Sequence, residues 1–317
     1  MVPSTAHDVL ILGGGPAGMT AAMWCAELRI NTLMIDQNLE LGGQLPAIYN
    51  RIDNYPGVSA ANGKELRDLF RRSIDRHSFE SRLNMQVVKI DLLSKQILLE
   101  NGESLTGRAM IIAAGVRRRK LGIEGEDEFA GRGVLESGAG EKEKVRGKHV
   151  VIIGGGDAAL ENSLILSEFA HQVTLIHRRN GFSARDEFVN AARERKNVRF
   201  ELNTVVERIG GNEAVERVVV RKEGAPNSYV LETGHVLIRI GVEPNSDLLK
   251  GQIELDEQGY AVVDASCRTS IPGVFIAGDI ANPTSPTIAN AVGMGATAAK
   301  SAHQFLASDS KKESRSK

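Results

Sequence analysis

With 317 residues, the chain is long enough for two domains of ordinary size. Its 39 lysines and arginines balance 40 aspartates and glutamates, which excludes a global charge field that would hold it on nucleic acid or an anionic membrane. No apolar stretch approaches the ~20 residues of a membrane helix, and no basic segment followed by an apolar one opens the chain. A cytoplasmic location is the resulting expectation, and no metal site can be read from only two cysteines, Cys25 and Cys267, in no C-x-x-C arrangement.

In chain order, residues 8–12 (DVLIL) predict a buried parallel strand, and 16–29 a crossover helix after the turn Gly13-Gly14-Gly15-Pro16-Ala17-Gly18. The next strand, 32–35, ends in Asp36, roughly 20 residues past the glycines, where a carboxylate accepts both ribose hydroxyls of an adenosine. That favours FAD over NADP in this unit. Residues 42–57 are turn-rich and suit a loop lying along a cofactor; 66–77 predict an amphipathic helix, and 84–112 short strands. A second unit repeats the wiring: strand 149–153, turn Gly154-Gly155-Gly156-Asp157-Ala158-Ala159, helix 157–169, strand 172–176, then His177-Arg178-Arg179. Two arginines where the first unit has Asp36 favour a 2′-phosphate, so NADP(H) is expected, with NAD(H) as the alternative. Strand alternation fills 197–239, a return crossing falls at 241–245, and strand 274–276 with Gly278-Asp279 leads into a small-residue helix, 287–305. The remaining tail, 306–317, is expected to be disordered.

Nine ordered motifs carry a resemblance: GGGPAG at 13–18, GGQ at 42–44, NYPG at 54–57, GRGV at 131–134, GGGDAA at 154–159, HRR at 177–179, GVEPN at 241–245, TSIPGVFIAGD at 269–279 and the helix after it. Over about residues 8–305 the chain resembles the low-molecular-weight thioredoxin reductase family. The resemblance implies an α/β fold of two Rossmann-like, three-layer dinucleotide-binding domains. Its FAD domain would comprise 1–117 and 246–305, with an NAD(P)H domain, 118–245, inserted between them, and the protein would be a homodimer. It places Asp279 by the flavin ribityl and phosphate groups. Cofactor contacts are further expected at Gly43, Gln44, Asn54, Ala114, Gly115, Gly278, Thr287 and Ile288 for FAD. For the nicotinamide dinucleotide they are expected at Gly154, Gly156, Asp157, Ala158, His177, Arg178, Arg179 and Arg185. Tyr49 lies in GGQLPAIY, a context similar to that of ferredoxin–NADP reductases of the thioredoxin-reductase type, where a tyrosine stacks on the flavin. A loop tyrosine covering the core is the other reading.

The chain also departs from the family. Where the family carries Cys-x-x-Cys, between the GRGV stretch and the second glycine turn, this sequence has Ser137-Gly138-Ala139-Gly140, which can neither form nor break a disulfide. Cys25 falls in the first crossover helix and reads as a core thiol; Cys267, ahead of the TSIPG turn, is a candidate for exposure. A further arginine common in the family four residues after HRR is Ser183 here, with Arg185 close by. The run Arg117-Arg118-Arg119-Lys120 reads as a solvated face or as a surface that steers an acidic carrier protein. No catalytic residue is assigned. The expected activity is FAD-dependent NAD(P)H oxidoreduction that passes electrons directly to an external acceptor, either a ferredoxin- or flavodoxin-like carrier or a small oxidant. Two alternatives stay open: a disulfide reductase that uses the flavin directly or is fed by ferredoxin, and a non-catalytic FAD sensor.

Overall fold

Apolar residues on both faces of the strand Ala6–Leu12 demand a covering layer on each side, and the computed structural model, which describes residues 6–315, supplies both. The chain divides into two units, 1–117 with 243–317 and 118–242.

In the first unit a seven-stranded sheet runs in the order Glu80–Arg82, Thr32–Ile35, Ala6–Leu12, Ser104–Ile112, Gln96–Leu99, Val87–Asp91. The long strand Ser104–Ile112 serves two neighbours: its beginning pairs antiparallel with Gln96–Leu99, and its end pairs parallel with Val274–Ile276, returned from the far end of the chain. Period-two alternation sorts the side chains. Val9, Ile11, Met34, Ile111 and Phe275 face the helices Pro16–Glu27, Gly63–Ile74 and Ile288–Arg315, while Leu10, Leu12, Leu33, Met110 and Ile276 face a second core with Ile97, Leu99 and Ile280. Helix Pro16–Glu27 stops two residues before the expected end because Arg29 turns left-handed at φ 57° and the amide of Ile30 donates back to the Cys25 carbonyl at 2.9 Å. Helix Gly63–Ile74 begins three residues early because Asn62 and Glu65 form a reciprocal cap. The Glu65 amide donates to Asn62 Oδ1 at 3.0 Å, and the Ala61 amide to Glu65 Oε2 at 2.6 Å.

The terminal helix corrects an expectation: it runs to Arg315, so residues 306–315 are helical rather than disordered. No glycine or proline interrupts the run after Gly295, and extending a helix already nucleated needs no new nucleus. Residues 316–317 lie outside the described ones. Among the described residues no helix is long and apolar enough to cross a membrane.

In the second unit five parallel strands run in the order Val134–Leu135, His235–Arg239, His149–Gly154, Gln172–His177, Val198–Leu202. Alternation again divides the faces. Val150, Ile152, Val173 and Leu175 meet the helices Asp157–Ser167 and Asp186–Glu194, and Val151, Ile153, Ile176 and Val236 meet an antiparallel three-stranded sheet, Thr204–Gly211, Val215–Lys222, Tyr229–Glu232. The helix Asp186–Glu194 escapes the sequence reading: nine residues with only Val189 and Ala192 fully buried give a weak period.

Candidate functional site

The first glycine turn is built by contacts that leave no room for side chains. Gly13 has φ 107°, and a Cβ there would lie 2.4 Å from the Ala113 carbonyl oxygen; one on Gly18 would lie 1.8 Å from the Gly13 carbonyl oxygen. The helix after the turn begins at Pro16 with Gly15 as its cap, and no side chain satisfies its first amides, which is the arrangement that receives a pyrophosphate. Asp36, 6% exposed, accepts hydrogen bonds from the Gly14 amide and from Asn38 through its backbone (2.7 Å) and side-chain (2.8 Å) nitrogens. Both carboxylate oxygens are thereby aimed, and each retains acceptor capacity for a ribose hydroxyl.

The loop after Asp36 folds back on the turn. The Gly42 amide donates to the Gly14 carbonyl at 2.8 Å, and a Cβ on Gly43 would sit 2.9 Å from the Gly15 Cα. Gln44 Nε2 reaches the Val116 carbonyl at 3.0 Å. Ala114 and Gly115 are held by Asn245, whose Nδ2 donates to the Ala114 carbonyl at 2.7 Å and whose amide donates to that of Gly115 at 3.0 Å. Gly278, at φ 83°, packs against Ala17 and sets Asp279 next to the helix start. The Asp279 side chain is half-buried and accepts no hydrogen bond among the described residues, and burial pushes its pKa above the usual carboxylate range. An orphaned carboxyl at this place fits a hydroxyl-bearing ligand such as the ribityl chain of FAD. Thr287 accepts from the Asn290 amide at 3.3 Å ahead of Ile288, the first residue of the terminal helix. Tyr49, 47% exposed, and Asn54, exposed in the strand Ile52–Tyr55, make no hydrogen bond to the turn among the described residues.

The second turn is assembled differently. A Cβ on Gly154 would lie 2.1 Å from the Arg239 carbonyl oxygen, and one on Gly155 would lie 2.2 Å from the His177 ring. That ring stacks on Phe182 at 5.6 Å, and burial holds His177 below its ordinary pKa, against the opposing Gly181 backbone hydrogen bond, so the imidazole is neutral at pH 7. Gly156 caps the helix without a side-chain hydrogen bond, and Ala158 is exposed in its first turn. Asp157 accepts from the Arg185 amide and Nε, both at 2.8 Å, and Arg185 also pairs with Glu187 at 2.8 Å. Ser183 closes the same loop, its amide donating to the Gly155 carbonyl at 2.8 Å. Arg178 and Arg179 are exposed, and neither side chain has a hydrogen bond or ion pair among the described residues. The structure therefore brings Arg185 to the turn as the partner of a carboxylate and leaves two guanidinium groups at the strand end.

Residues 118–242 contain neither cysteine nor methionine, and 137–140 are Ser-Gly-Ala-Gly. Glu141 closes that turn by accepting from the amides of Glu136 (2.7 Å) and Ser137 (2.9 Å), and a Cβ on Gly138 would meet Asn162 Oδ1 at 2.0 Å. Cys25 is buried, and burial pushes its thiol up to about 12. Cys267 is not exposed as its turn suggested: it is 3% exposed, its Sγ reaches the Met294 carbonyl at 3.5 Å, and burial lifts it to about 11. Neither is a thiolate at neutral pH. Two members of the basic run, Arg117 and Lys120, are ion-paired. Arg117 pairs with Glu243 (2.8 Å) and Asp247 (2.7 Å), and Lys120 with Asp127 (2.5 Å). Asn38, Asn245 and Glu141 were missed by sequence reasoning; only Asn245 lay in a recognised motif.

Two Rossmann-like sheets, each with a bare glycine turn at the carboxyl end of a strand, define a protein built to hold two dinucleotides. The chain belongs to the pyridine nucleotide-disulphide oxidoreductase family, whose model matches residues 7–295. It is 35% identical to the thioredoxin reductase of Mycolicibacterium smegmatis over 306 residues, 96% of this chain and 97% of that one. The solved thioredoxin reductases of Lactococcus lactis (TM-score 0.84, 31% identity, 95% and 99% of the two chains) and T. acidophilum (0.79, 30%, 94% and 98%) share its fold. It is thus a thioredoxin reductase-like flavoprotein and oxidoreductase.

Proposed function

We propose that this oxidoreductase binds FAD at the first glycine turn and NADPH at the second, and that electrons leave for an external acceptor without passing through a protein dithiol. When bound, the nicotinamide supplies the hydride and the flavin ring accepts it. The chain's part is to hold both: Asp36 and Asp279 take hydroxyls of the flavin nucleotide, and Arg178 and Arg179 take the 2′-phosphate. Tyr49 on the flavin, a homodimer and a cytoplasmic location belong to the same reading. One observation carries it: both cysteines of the chain are buried with raised pKa, and the turn at 137–140 is closed by hydrogen bonds rather than by sulfur. A ferredoxin- or flavodoxin-like carrier or a small oxidant is the acceptor class this leaves.

Relatives named thioredoxin reductase favour a second reading, in which the acceptor is a disulfide reduced without a protein dithiol. Anaerobic mixing with NADPH and, separately, with NADH tests the hydride route: fast loss of flavin absorbance with NADPH is expected, and no loss with either nicotinamide overturns it. Turnover is then compared with thioredoxin, a small disulfide and a one-electron acceptor. Thioredoxin reduction that survives replacement of both cysteines would establish the second reading.

A further inference from the structure

In the second unit, the strand His149–Gly154 has Gln172–His177 on one side and His235–Arg239 on the other. The chain leaves it toward one side and fills the other only later, which makes the carboxyl ends of His149–Gly154 and His235–Arg239 the switch point of the topology, where ligands of such sheets bind. Arg178 and Arg179 follow the strand on the first side. Arg239 ends the strand on the second side, in register with Gly154. A dinucleotide whose adenosine end lies at Arg178 and whose pyrophosphate crosses the glycine turn must therefore carry its nicotinamide half over Arg239.

The Arg239 guanidinium donates Nη1 to the Ile238 carbonyl (2.7 Å) and Nη2 to the Glu136 carbonyl (2.9 Å), which fixes it at this end of the sheet with donors to spare. Among the described residues it makes no ion pair, and Arg118 makes none either. The Arg119 amide donates to the Gly241 carbonyl at 3.1 Å, which keeps 118–119 beside 239–241. Burial pushes Arg239 down to about 9, and the charge of Arg118 adds to the push; Glu141 opposes it without touching the guanidinium. Two carbonyls need only a neutral amide to satisfy them. Arg239 is thus a partly buried cation with a second, exposed cation, Arg118, beside it; the Glu136 and Glu141 charges reach the pair without an ion pair to either guanidinium, and an anion bound between them would relieve the repulsion.

We propose that Arg239, backed by Arg118, binds the nicotinamide-side phosphate of the dinucleotide held at the second glycine turn. This rests on the reading of that turn as the NAD(P)H site. Calorimetric titration of the flavin-loaded full chain with NADP⁺ and with adenosine 2′,5′-bisphosphate, which lacks the nicotinamide-side phosphate, separates the two claims. Arg239→Gln is expected to weaken NADP⁺ about tenfold or more, the loss of a charge-assisted hydrogen bond, and to leave the bisphosphate within about twofold. Arg239→Lys should recover part of the loss, and Arg118→Gln should weaken NADP⁺ by a smaller factor. Unchanged NADP⁺ affinity in Arg239→Gln, or equal losses for both ligands, overturns the proposal while the site reading stands. No NADP⁺ binding by the unaltered protein overturns both.

Discussion

The two glycine turns share a backbone and differ in what covers the middle glycine. At Gly14 it is the Leu41 side chain together with the Asp36 carboxylate, which is hydrogen-bonded to the turn itself; at Gly155 it is a neutral His177 ring, with two arginines just beyond whose side chains have no partner among the described residues. The same strand end thus presents an acceptor in one unit and donors in the other. The local fold fixes where a nucleotide's ribose would lie, and one side chain decides whether a bare ribose or a phosphorylated one suits it.

The sharpest way to break this comparison is to add one methyl group to each turn. Gly13→Ala combines an unfavourable φ with a collision against the backbone of Ala113, which cannot swing away, so flavin per purified chain should fall about tenfold to a hundredfold. Gly155→Ala meets only the end of the His177 side chain, so flavin content should hold while NADPH affinity drops by a smaller factor. Equal flavin loss in both variants would show the turns to be equivalent.

Replacing Arg178 and Arg179 together by alanine should cut the preference for NADPH over NADH, as a ratio of kcat/KM, about tenfold to a hundredfold. An unchanged ratio would remove the 2′-phosphate from the second turn. A smaller effect concerns Asp279. Its raised pKa means that the folded state holds the proton longer than the unfolded state, so stability is greatest below the ordinary carboxylate pKa and is lost as pH rises through the folded value. In flavin-free protein Asp279→Asn should raise Tm at neutral pH, flatten that decline and, on reconstitution, weaken FAD. The smallest change is expected from Arg185→Ala, within about twofold on the NADPH to NADH ratio, because Asp157 and Glu187 already hold that guanidinium. A loss as large as that of Arg178 and Arg179 would return Arg185 to the phosphate.

Much of both turns was legible because strand, glycine turn, helix and second strand are consecutive. Asp36 follows Gly14 by 22 residues, and the covalent path between them leaves few places for its carboxylate. Short helices were less legible. Gly63–Ile74 hid its start in the Asn62–Glu65 cap, and Asp186–Glu194 buries too narrow a stripe to declare a period.

By itself the sequence determined the two glycine turns, the sign of the side chains at each second strand's end, and the missing sulfur at 137–140, all of which depend on residue identity and short spacing. Only tertiary structure decided that Asn245 fastens Ala114 and Gly115, that Gly278 packs against Ala17, that Asp157 occupies Arg185, and that Arg239 reaches Glu136. Those partners lie from 28 to more than 250 residues apart, or depend on a loop whose path no periodicity records. They meet because the parallel strands bring their carboxyl ends to one edge, and that convergence is a property of the folded sheets rather than of any local run of residues.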